Sequence, residues 1–209
     1  MSDGRLDPDT PIHGVAGGPT VGDFWAWAFS NVLTNNLRGI FAEFLVGTAL
    51  GILEAGRTEW DAFDLIYREE GIEVKSSAYL QSWDQGGKPS AIGWNIAEHY
   101  SFDPETGDWT KKKGRSAKCY VLCVYTERED RSPSKVLDLD RWEFYVLPTA
   151  VIDRELATQK TVGHNRIKSL AEAVPYSRLK ERVDEALAHG GHGDGGGDGN
   201  VAEDSRPPG

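Results

Sequence analysis

The sequence of 209 residues contains only two cysteines and one methionine, and it has no hydrophobic run of membrane-spanning length. A helix that crosses a bilayer needs about 20 apolar residues, so no membrane span is expected. Cys119 and Cys123 would lie about 13 Å apart on one strand, which is too far for a disulfide bond. The scarcity of cysteine and the lack of a basic, apolar leader predict a cytoplasmic protein without a secretory signal.

Motifs of several enzyme classes are also missing. The glycines between Gly14 and Gly18 lack the Gly-Lys-Ser/Thr ending of a phosphate-binding loop. The sequence contains neither the Cys/His spacing typical of a zinc site nor a Gly-x-Ser-x-Gly nucleophile motif. No local motif therefore indicates nucleotide-dependent, zinc-dependent or serine-hydrolase chemistry.

The net charge of −10 at first argues against a nucleic-acid partner. Much of the acidic excess, however, lies in the two ends of the chain. Residues 1–19 are rich in Gly, Pro and Asp and predict a mobile leader, and residues 189–209 form a Gly/Asp-rich tail that we expect to be disordered. Residues 20–188 are then one domain, long enough to enclose a hydrophobic core.

Hydrophobicity patterns within this domain predict both helices and strands. The predicted helices cover residues 21–33, 37–54, 149–157 and 175–188, and the predicted strands cover residues 60–67, 71–77, 91–96, 119–126 and 142–147. The strand at 119–126 is continuously apolar, as expected of a buried central strand. This order predicts a central mixed β-sheet flanked by helices, in the α/β or α+β class.

The segment from Asp64 to Lys75 predicts two short strands joined by a turn at Arg68–Glu69. Side chains two residues apart on a strand share a face, so Glu73 and Lys75 would point the same way. With this turn Asp64 would lie opposite Glu73, whereas Asp61 would point to the other face. Two carboxylates and one ammonium group would then converge, which suits a divalent metal ion and an activated water. The alternative is a solvated hairpin face on which the lysine pairs with the acids.

The second predicted helix is apolar in its central part except for Glu43. A helix that is apolar all round is normally buried, and a lone buried carboxylate is costly unless it is paired or binds a metal. Gly39 and Gly47, four residues to either side, would allow close approach to another backbone. The alternative for Glu43 is a single ion pair with Lys75 or Arg38.

Glu43 on a helix, then Asp64, then Glu-Val-Lys at 73–75 on the following strand resemble the core of the restriction-endonuclease-like, or PD-(D/E)XK, nuclease superfamily. The resemblance covers about residues 36–128 and rests on the motif and the order of elements. The chain departs from the pattern in having Phe63 where a proline often precedes the first acid. The segment between the Glu-Val-Lys strand and the next predicted long strand is also longer than a minimal core needs.

The resemblance implies a Mg²⁺-dependent (or Mn²⁺-dependent) endonuclease that hydrolyses DNA phosphodiester bonds, and hard oxygen ligands favour these ions. Asp64, Glu73 and the Val74 carbonyl would bind the ion. Glu43 would complete its ligand shell or bind a second ion. Lys75 would orient or deprotonate the attacking water and counter the charge that develops on the phosphate.

Two further groups are candidates for contacts with the substrate. Gln81 is similar to a polar residue that often follows the motif and contacts phosphate or water, although an ordinary exposed glutamine fits equally well. Lys111, Lys112, Lys113 and Arg115 form the densest basic cluster and predict contacts with DNA phosphates. The alternative for this cluster is a solvated loop.

By analogy of fold, the chain would serve restriction or defence against mobile DNA. Such nucleases often act as homodimers, and the aromatic first helix, with Phe24, Trp25, Trp27 and Phe29, would be either a dimer face or part of the core. Three other functions stay open at this point. They are a structure-specific repair or junction nuclease, a non-catalytic DNA-binding subunit with a nuclease fold, and an acidic adaptor that acts through its tail.

Overall fold

The structure, a computed structural model, describes residues 5–14, 16–53, 63–100, 102–103 and 108–189. Within these ranges the chain forms a mixed α+β fold with a four-stranded main sheet flanked by helices, which confirms the predicted class. The α-helices are α1 (Val21–Phe29), α2 (Asn35–Leu50), α3 (Thr149–Leu156), α4 (His164–Lys168) and α5 (Leu179–His189). The β-strands are β1 (Leu65–Tyr67), β2 (Glu70–Ala78), β3 (Gly93–Asn95), β4 (Phe102–Asp103), β5 (Asp108–Trp109), β6 (Cys119–Tyr125), β7 (Trp142–Pro148) and β8 (Thr161–Gly163).

The main sheet has the strand order β1-β2-β6-β7. Strand β1 is antiparallel to β2, β2 is parallel to β6, and β6 is antiparallel to β7, so the sheet is mixed as predicted. All seven residues of β6 are buried, which matches its continuous apolar sequence. Two small antiparallel sheets, β3–β8 and β4–β5, lie outside the main sheet.

Helix boundaries follow the capping residues. Helix α1 begins after a capping box between Thr20 and Asp23. Helix α2 ends at Gly51, which has a left-handed φ of 72°, and not near Gly56 as predicted. Residues 54–62, which include the predicted start of the first strand, lie outside the described part of the chain.

The C-terminal part of the domain contains elements that the sequence pattern did not predict. Strand β8 and the short helix α4 lie between α3 and α5. Pro175 opens a 3-10 turn at Tyr176–Arg178, and α5 starts only at Leu179. Two further 3-10 turns, at Pro133–Leu137 and Leu139–Arg141, precede β7.

The main sheet separates two hydrophobic cores, because successive side chains of a strand point to opposite faces. One core joins α2 and α5 to alternate residues of β2, β6 and β7. The other joins α3, α4, β3 and β8 to the remaining alternate residues. Glu73 and Lys75 have the strand parity of the second core, whereas α2, which carries Glu43, packs on the first.

Both N-terminal helices are partly exposed. Phe44 and Thr48 of α2 are exposed, because this helix packs on one side only, so the expectation of all-round burial is wrong. In α1 only Val21 is buried, which excludes a core role for its aromatic residues.

Segment 7–12 of the predicted leader is bonded to the start of α1 through the backbone of Pro8 and Thr10. The described helices include none that is long and apolar enough to cross a membrane.

Candidate active site

The hairpin that carries the acidic residues has the predicted turn. Arg68 and Glu69 occupy the turn with φ values of 52° and 67°, the left-handed conformation required in a two-residue hairpin turn of type I′. Tyr67 pairs with Glu70 and Leu65 pairs with Ile72. The register of β1 and β2 is therefore the one predicted from the sequence.

Asp64 immediately precedes β1 and is bonded to β2 on both sides of Glu73. Its backbone N–H donates to the carbonyl of Ile72 at 3.1 Å, and its Oδ2 accepts from the N–H of Val74 at 2.7 Å. The N–H and C=O of one strand residue point towards the same neighbouring strand. The Val74 carbonyl is thus directed to the same edge of β2 as the Asp64 carboxylate.

Glu73 and Lys75 form an ion pair between Oε1 and Nζ. Their side chains are largely buried, and the register of the sheet places Glu73 beside Tyr120 and Lys75 beside Leu122. The pairing was one of the two interpretations of this hairpin from sequence. Among the ion pairs of the described residues, none joins Lys75 to Asp64.

The electrostatic environment raises the pKa of Glu73 above its ordinary value. Burial is the largest cause, followed by the charge of Asp64; Lys75 opposes both, and the charge of Glu43 raises the pKa further. Carboxylates on α2 and at the start of β1 therefore both disfavour the charged form of Glu73. The charge of Lys75 lowers the pKa of Glu73 but does not outweigh burial and the neighbouring carboxylates.

The chemistry of these donors fits a hard divalent cation, because carboxylate and carbonyl oxygens are the ligands that Mg²⁺ and Mn²⁺ prefer. The arrangement of these donors is looser than that of a closed metal site. Among the described residues, no three Asp, Glu, His or Cys side chains are grouped closely enough to hold a metal ion. Asp64 is instead held by the Val74 N–H, and Glu73 by Lys75.

Two glycines set the distance between the elements of this site. A Cβ on Gly71 would lie 2.4 Å from the ring of Phe63, the residue before Asp64. A Cβ on Gly47 of α2 would lie 2.4 Å from the side chain of Leu53. The neighbours of Gly47 are side chains, and Gly39 faces open space. The predicted close approach to another backbone is therefore found at neither glycine.

Gln81 lies away from this group of charges, three residues beyond the end of β2. It is buried, its Nε2 donates to the carbonyl of Ala78 at 3.0 Å, and its Oε1 accepts from Arg38 at 3.5 Å. Burial lowers the pKa of Arg38 to about 10, so the glutamine oxygen helps to solvate a buried cation. This placement matches neither a phosphate contact nor the exposed glutamine considered from sequence.

The basic cluster divides into two parts. Lys111, Lys112 and Lys113 are exposed, with the Lys113 ammonium 5.3 Å from the ring centre of Tyr100. The side chain of Arg115 is only 2% exposed. Its guanidinium donates to the carbonyl of Ile96 at 2.9 Å and to Asp153 at 2.6 Å, so the predicted phosphate contact of Arg115 is corrected to a structural role.

Sequence analysis missed a second polar group, which we call the His164 cluster: Tyr79, Glu143, Tyr145 and His164. The Nε2 of His164 lies 2.8 Å from the Tyr145 hydroxyl, which donates to Glu143 at 3.0 Å. The Nδ1 lies 3.3 Å from the Tyr79 hydroxyl. Glu143 and Tyr145 lie on β7, but Tyr79 and His164 come from distant segments. No local motif could therefore have indicated the whole cluster.

Tyr120 was missed as well. It is buried beside Glu73 in the register of β6, and burial, followed by the charge of Glu73, raises the pKa of its hydroxyl. A tyrosine in a central apolar strand gives no sign in the sequence that it borders a charged site. Its place in the register makes it a neighbour of Glu73 on the adjacent strand.

Comparisons with known proteins add no assignment. No protein-family model, no curated protein and no solved structure matches the chain. The resemblance to restriction-endonuclease-like nucleases accordingly stays a prediction from the motif and the order of elements.

Proposed function

We propose that the chain is a metal-dependent nuclease with a restriction-endonuclease-like core that hydrolyses phosphodiester bonds in DNA. One observation carries the proposal: the Asp64 carboxylate is bonded to β2 beside Glu73, and the Glu73 carboxylate is paired with Lys75. In agreement with this geometry, burial and the charge of Asp64 raise the pKa of Glu73. Two carboxylates beside a single lysine in a largely buried site are costly for the fold alone. It is the arrangement that binding of a divalent cation would stabilise.

In this proposal Asp64 and Glu73 bind the cation, and Glu43 and the Val74 carbonyl supply further oxygen donors. A bound Mg²⁺ or Mn²⁺ would polarise the phosphate and lower the pKa of a water. Lys75, which would leave Glu73 when the cation arrives, orients the attacking water and stabilises negative charge on the phosphate. Tyr120 and Leu122 lie on β6 beside Glu73 and Lys75. In this proposal they border the site and limit its hydration.

The exposed lysines Lys111, Lys112 and Lys113 are the proposed contacts with the phosphate backbone of DNA. They are the remaining exposed part of the predicted basic cluster, since Arg115 is buried against Asp153. Contacts of this kind position a nucleic acid without selecting a sequence. Gln81 has no part in the proposed mechanism, because its amide is bonded to Arg38 and Ala78.

Incubation of supercoiled plasmid DNA with the protein and Mg²⁺ or Mn²⁺ tests the proposal directly. The wild-type protein is expected to nick or linearise the plasmid, and Lys75→Ala is expected to abolish cleavage. Lys88→Ala, an exposed lysine in the loop after β2, is the matched control and should cleave normally. Cleavage by Lys75→Ala, or none by the wild type with either ion, would contradict the assignment. Branched DNA included beside linear DNA would reveal a junction nuclease.

A second candidate is a non-catalytic DNA-binding subunit, favoured by the lack of a closed metal-binding group among the described residues. Titration calorimetry with Mn²⁺ distinguishes the two candidates. A nuclease should bind the ion in the wild type and lose binding in Glu73→Gln. Metal-independent DNA binding that is unchanged in Glu73→Gln would favour the subunit.

A further inference from the structure

Helix α1 is apolar on nearly every side, yet it is not buried. Four of its nine residues are aromatic, and their exposed fractions are 48% for Phe24, 38% for Trp25, 85% for Trp27 and 46% for Phe29. A helix that is hydrophobic all round is normally enclosed by the protein. An exposed apolar patch of this kind typically marks an interaction site.

The charges around α1 limit what can cover it. Between Thr20 and Leu37 the only ionisable residue is Asp23, and its carboxylate accepts from the N–H of Thr20 at 2.8 Å in the capping box. Nucleic acids require lysine or arginine at the contact, and a helix that lies on a membrane surface carries basic residues on its polar face. Neither class of ligand fits a face without cations.

The low-complexity tail of the chain is not a suitable cover either. Residues 190–209 contain no aromatic residue, and Val201 is their only large aliphatic one. A second copy of the chain has the required chemistry, because the aromatic side chains carry no charge and the one acid of α1, Asp23, is bonded within the capping box at the start of the helix. Two-fold symmetric contacts are built from the same surface of both partners.

From these observations we infer that α1 is the dimerisation surface of the protein and packs against a second copy. A fully buried aromatic side chain contributes about 150–250 Å², so the four aromatic residues expose roughly 400 Å² in each copy. Ile12, exposed at 45%, belongs to segment 7–12, which is bonded to the start of α1, and Leu6, exposed at 58%, precedes that segment. Both residues are candidates to extend the surface. The inference does not depend on nuclease activity.

The size of the surface predicts the strength of the dimer. Two copies would bury roughly 800 Å² through the aromatic residues alone and approach about 1,200 Å² with the flanking segment, the lower end for specific interfaces. Buried area of this size gives a weak, reversible association. We expect dissociation at concentrations on the order of micromolar.

Sedimentation velocity of the full-length protein between about 1 and 200 µM tests the inference. The wild type is expected to pass from the 23.0 kDa monomer to a species of twice that mass. Trp27→Glu places a charge at the most exposed aromatic position and should keep the protein monomeric throughout the range. Trp83→Glu is the control, since Trp83 is 52% exposed in the loop after β2 and should leave the dimer intact.

Thermal unfolding at 1 µM must show that Trp27→Glu folds as stably as the wild type, which is expected because the side chain has few contacts to lose. A variant that is destabilised can be replaced by Trp27→Ser for the same measurement. A wild type that stays monomeric at 200 µM would overturn the inference, as would a Trp27→Glu protein that dimerises normally. Open-ended aggregation without a dimer would overturn it as well.

Discussion

Two polar clusters lie on the same face of the main sheet, and they differ in how their charges and hydrogen bonds are balanced. Lys75 on β2, Leu122 on β6 and Tyr145 on β7 form one row across the sheet. The candidate active site therefore lies about 10 Å from the His164 cluster, two strand spacings away. Only Leu122 separates Lys75 from Tyr145 in this row.

In the His164 cluster the donors and acceptors match. A neutral imidazole accepts from the Tyr79 hydroxyl at Nδ1 and donates from Nε2 to Tyr145, which donates to Glu143. Burial, followed by the charge of Lys168, lowers the pKa of His164 and favours this neutral form. Satisfied, partly buried polar groups of this kind stabilise a fold and need no ligand.

In the candidate active site the charges do not match, since the carboxylates of Asp64 and Glu73 lie beside one ammonium group. Both clusters contain a group with a shifted pKa, so a shift alone does not identify a functional site. The two clusters differ in what a ligand would do. A bound cation would improve the balance of charge around Glu73, whereas a ligand at His164 would break existing hydrogen bonds. Substitutions in the two clusters should consequently have opposite effects on activity and stability.

The largest expected effect is on cleavage by Glu73→Gln, compared with Glu143→Gln in the other cluster. Loss of the Glu73 charge should lower the initial rate of plasmid nicking in Mg²⁺ by at least about 100-fold, the usual cost of removing a group that stabilises the transition state. Glu143→Gln should cleave at the wild-type rate, because a glutamine oxygen still accepts from Tyr145. Equal losses in both variants would argue against separate roles.

Gly71→Ala should disturb the candidate active site through packing. The added Cβ would overlap the ring of Phe63, and overpacking of this kind costs about 1–3 kcal/mol of unfolding free energy. Because Phe63 precedes Asp64, cleavage should fall as well. Urea unfolding and nicking rates measure the two effects.

Gly39→Ala is the matched control, since its Cβ meets nothing within 4 Å. Alanine is favoured over glycine in a helix by up to about 1 kcal/mol, so this variant should be slightly more stable and fully active. A Gly71→Ala protein that is as stable and active as the wild type would show that Phe63 does not hold Asp64 in place.

A smaller effect is expected from Tyr145→Phe in the His164 cluster. The change removes the hydroxyl that bonds both His164 and Glu143, and a lost hydrogen bond of this kind costs about 1 kcal/mol or somewhat more. Cleavage should stay at the wild-type rate. Tyr100→Phe, at an exposed position, is the control for urea unfolding; a loss of cleavage in Tyr145→Phe alone would place this cluster in the mechanism.

The contrast between the clusters also explains what the sequence could predict. The register of the hairpin followed from alternation of side chains and from a two-residue turn, both of which are local. Helix α2 was predicted with the wrong end, because Gly51 and Gly56 both suit a helix terminus and only the structure distinguishes them. The class of fold followed from the order of helices and strands.

Residues whose role depends on distant partners could not be assigned from the sequence. Gln81 is hydrogen-bonded to Arg38, which is 43 residues away in the sequence. Arg115 is hydrogen-bonded to Asp153, which is 38 residues away. No pattern in the sequence links either residue to its partner. The exposure of α1 was equally unpredictable, since its composition is that of a buried helix.

The smallest expected effect is on the pH dependence of stability, where the two clusters act with opposite sign. The folded-state pKa of Glu73 lies above the ordinary value of 4.5. Between these two pKa values the folded protein keeps the carboxyl proton that the unfolded chain has lost. Its contribution to stability is complete below pH 4.5 and is lost as the pH rises through the folded-state pKa. Glu73→Gln should remove this loss.

The folded-state pKa of His164 lies below the ordinary value of 6.5, so unfolded chains bind this proton more readily. Its contribution is complete above pH 6.5 and is lost as the pH falls through the folded-state pKa. Melting temperatures measured from about pH 4 to 8 should therefore show Glu73→Gln gaining on the wild type as the pH rises. His164→Asn should instead approach the wild type as the pH falls below 6.5, and parallel curves for all three proteins would contradict the assigned balance of charge in both clusters.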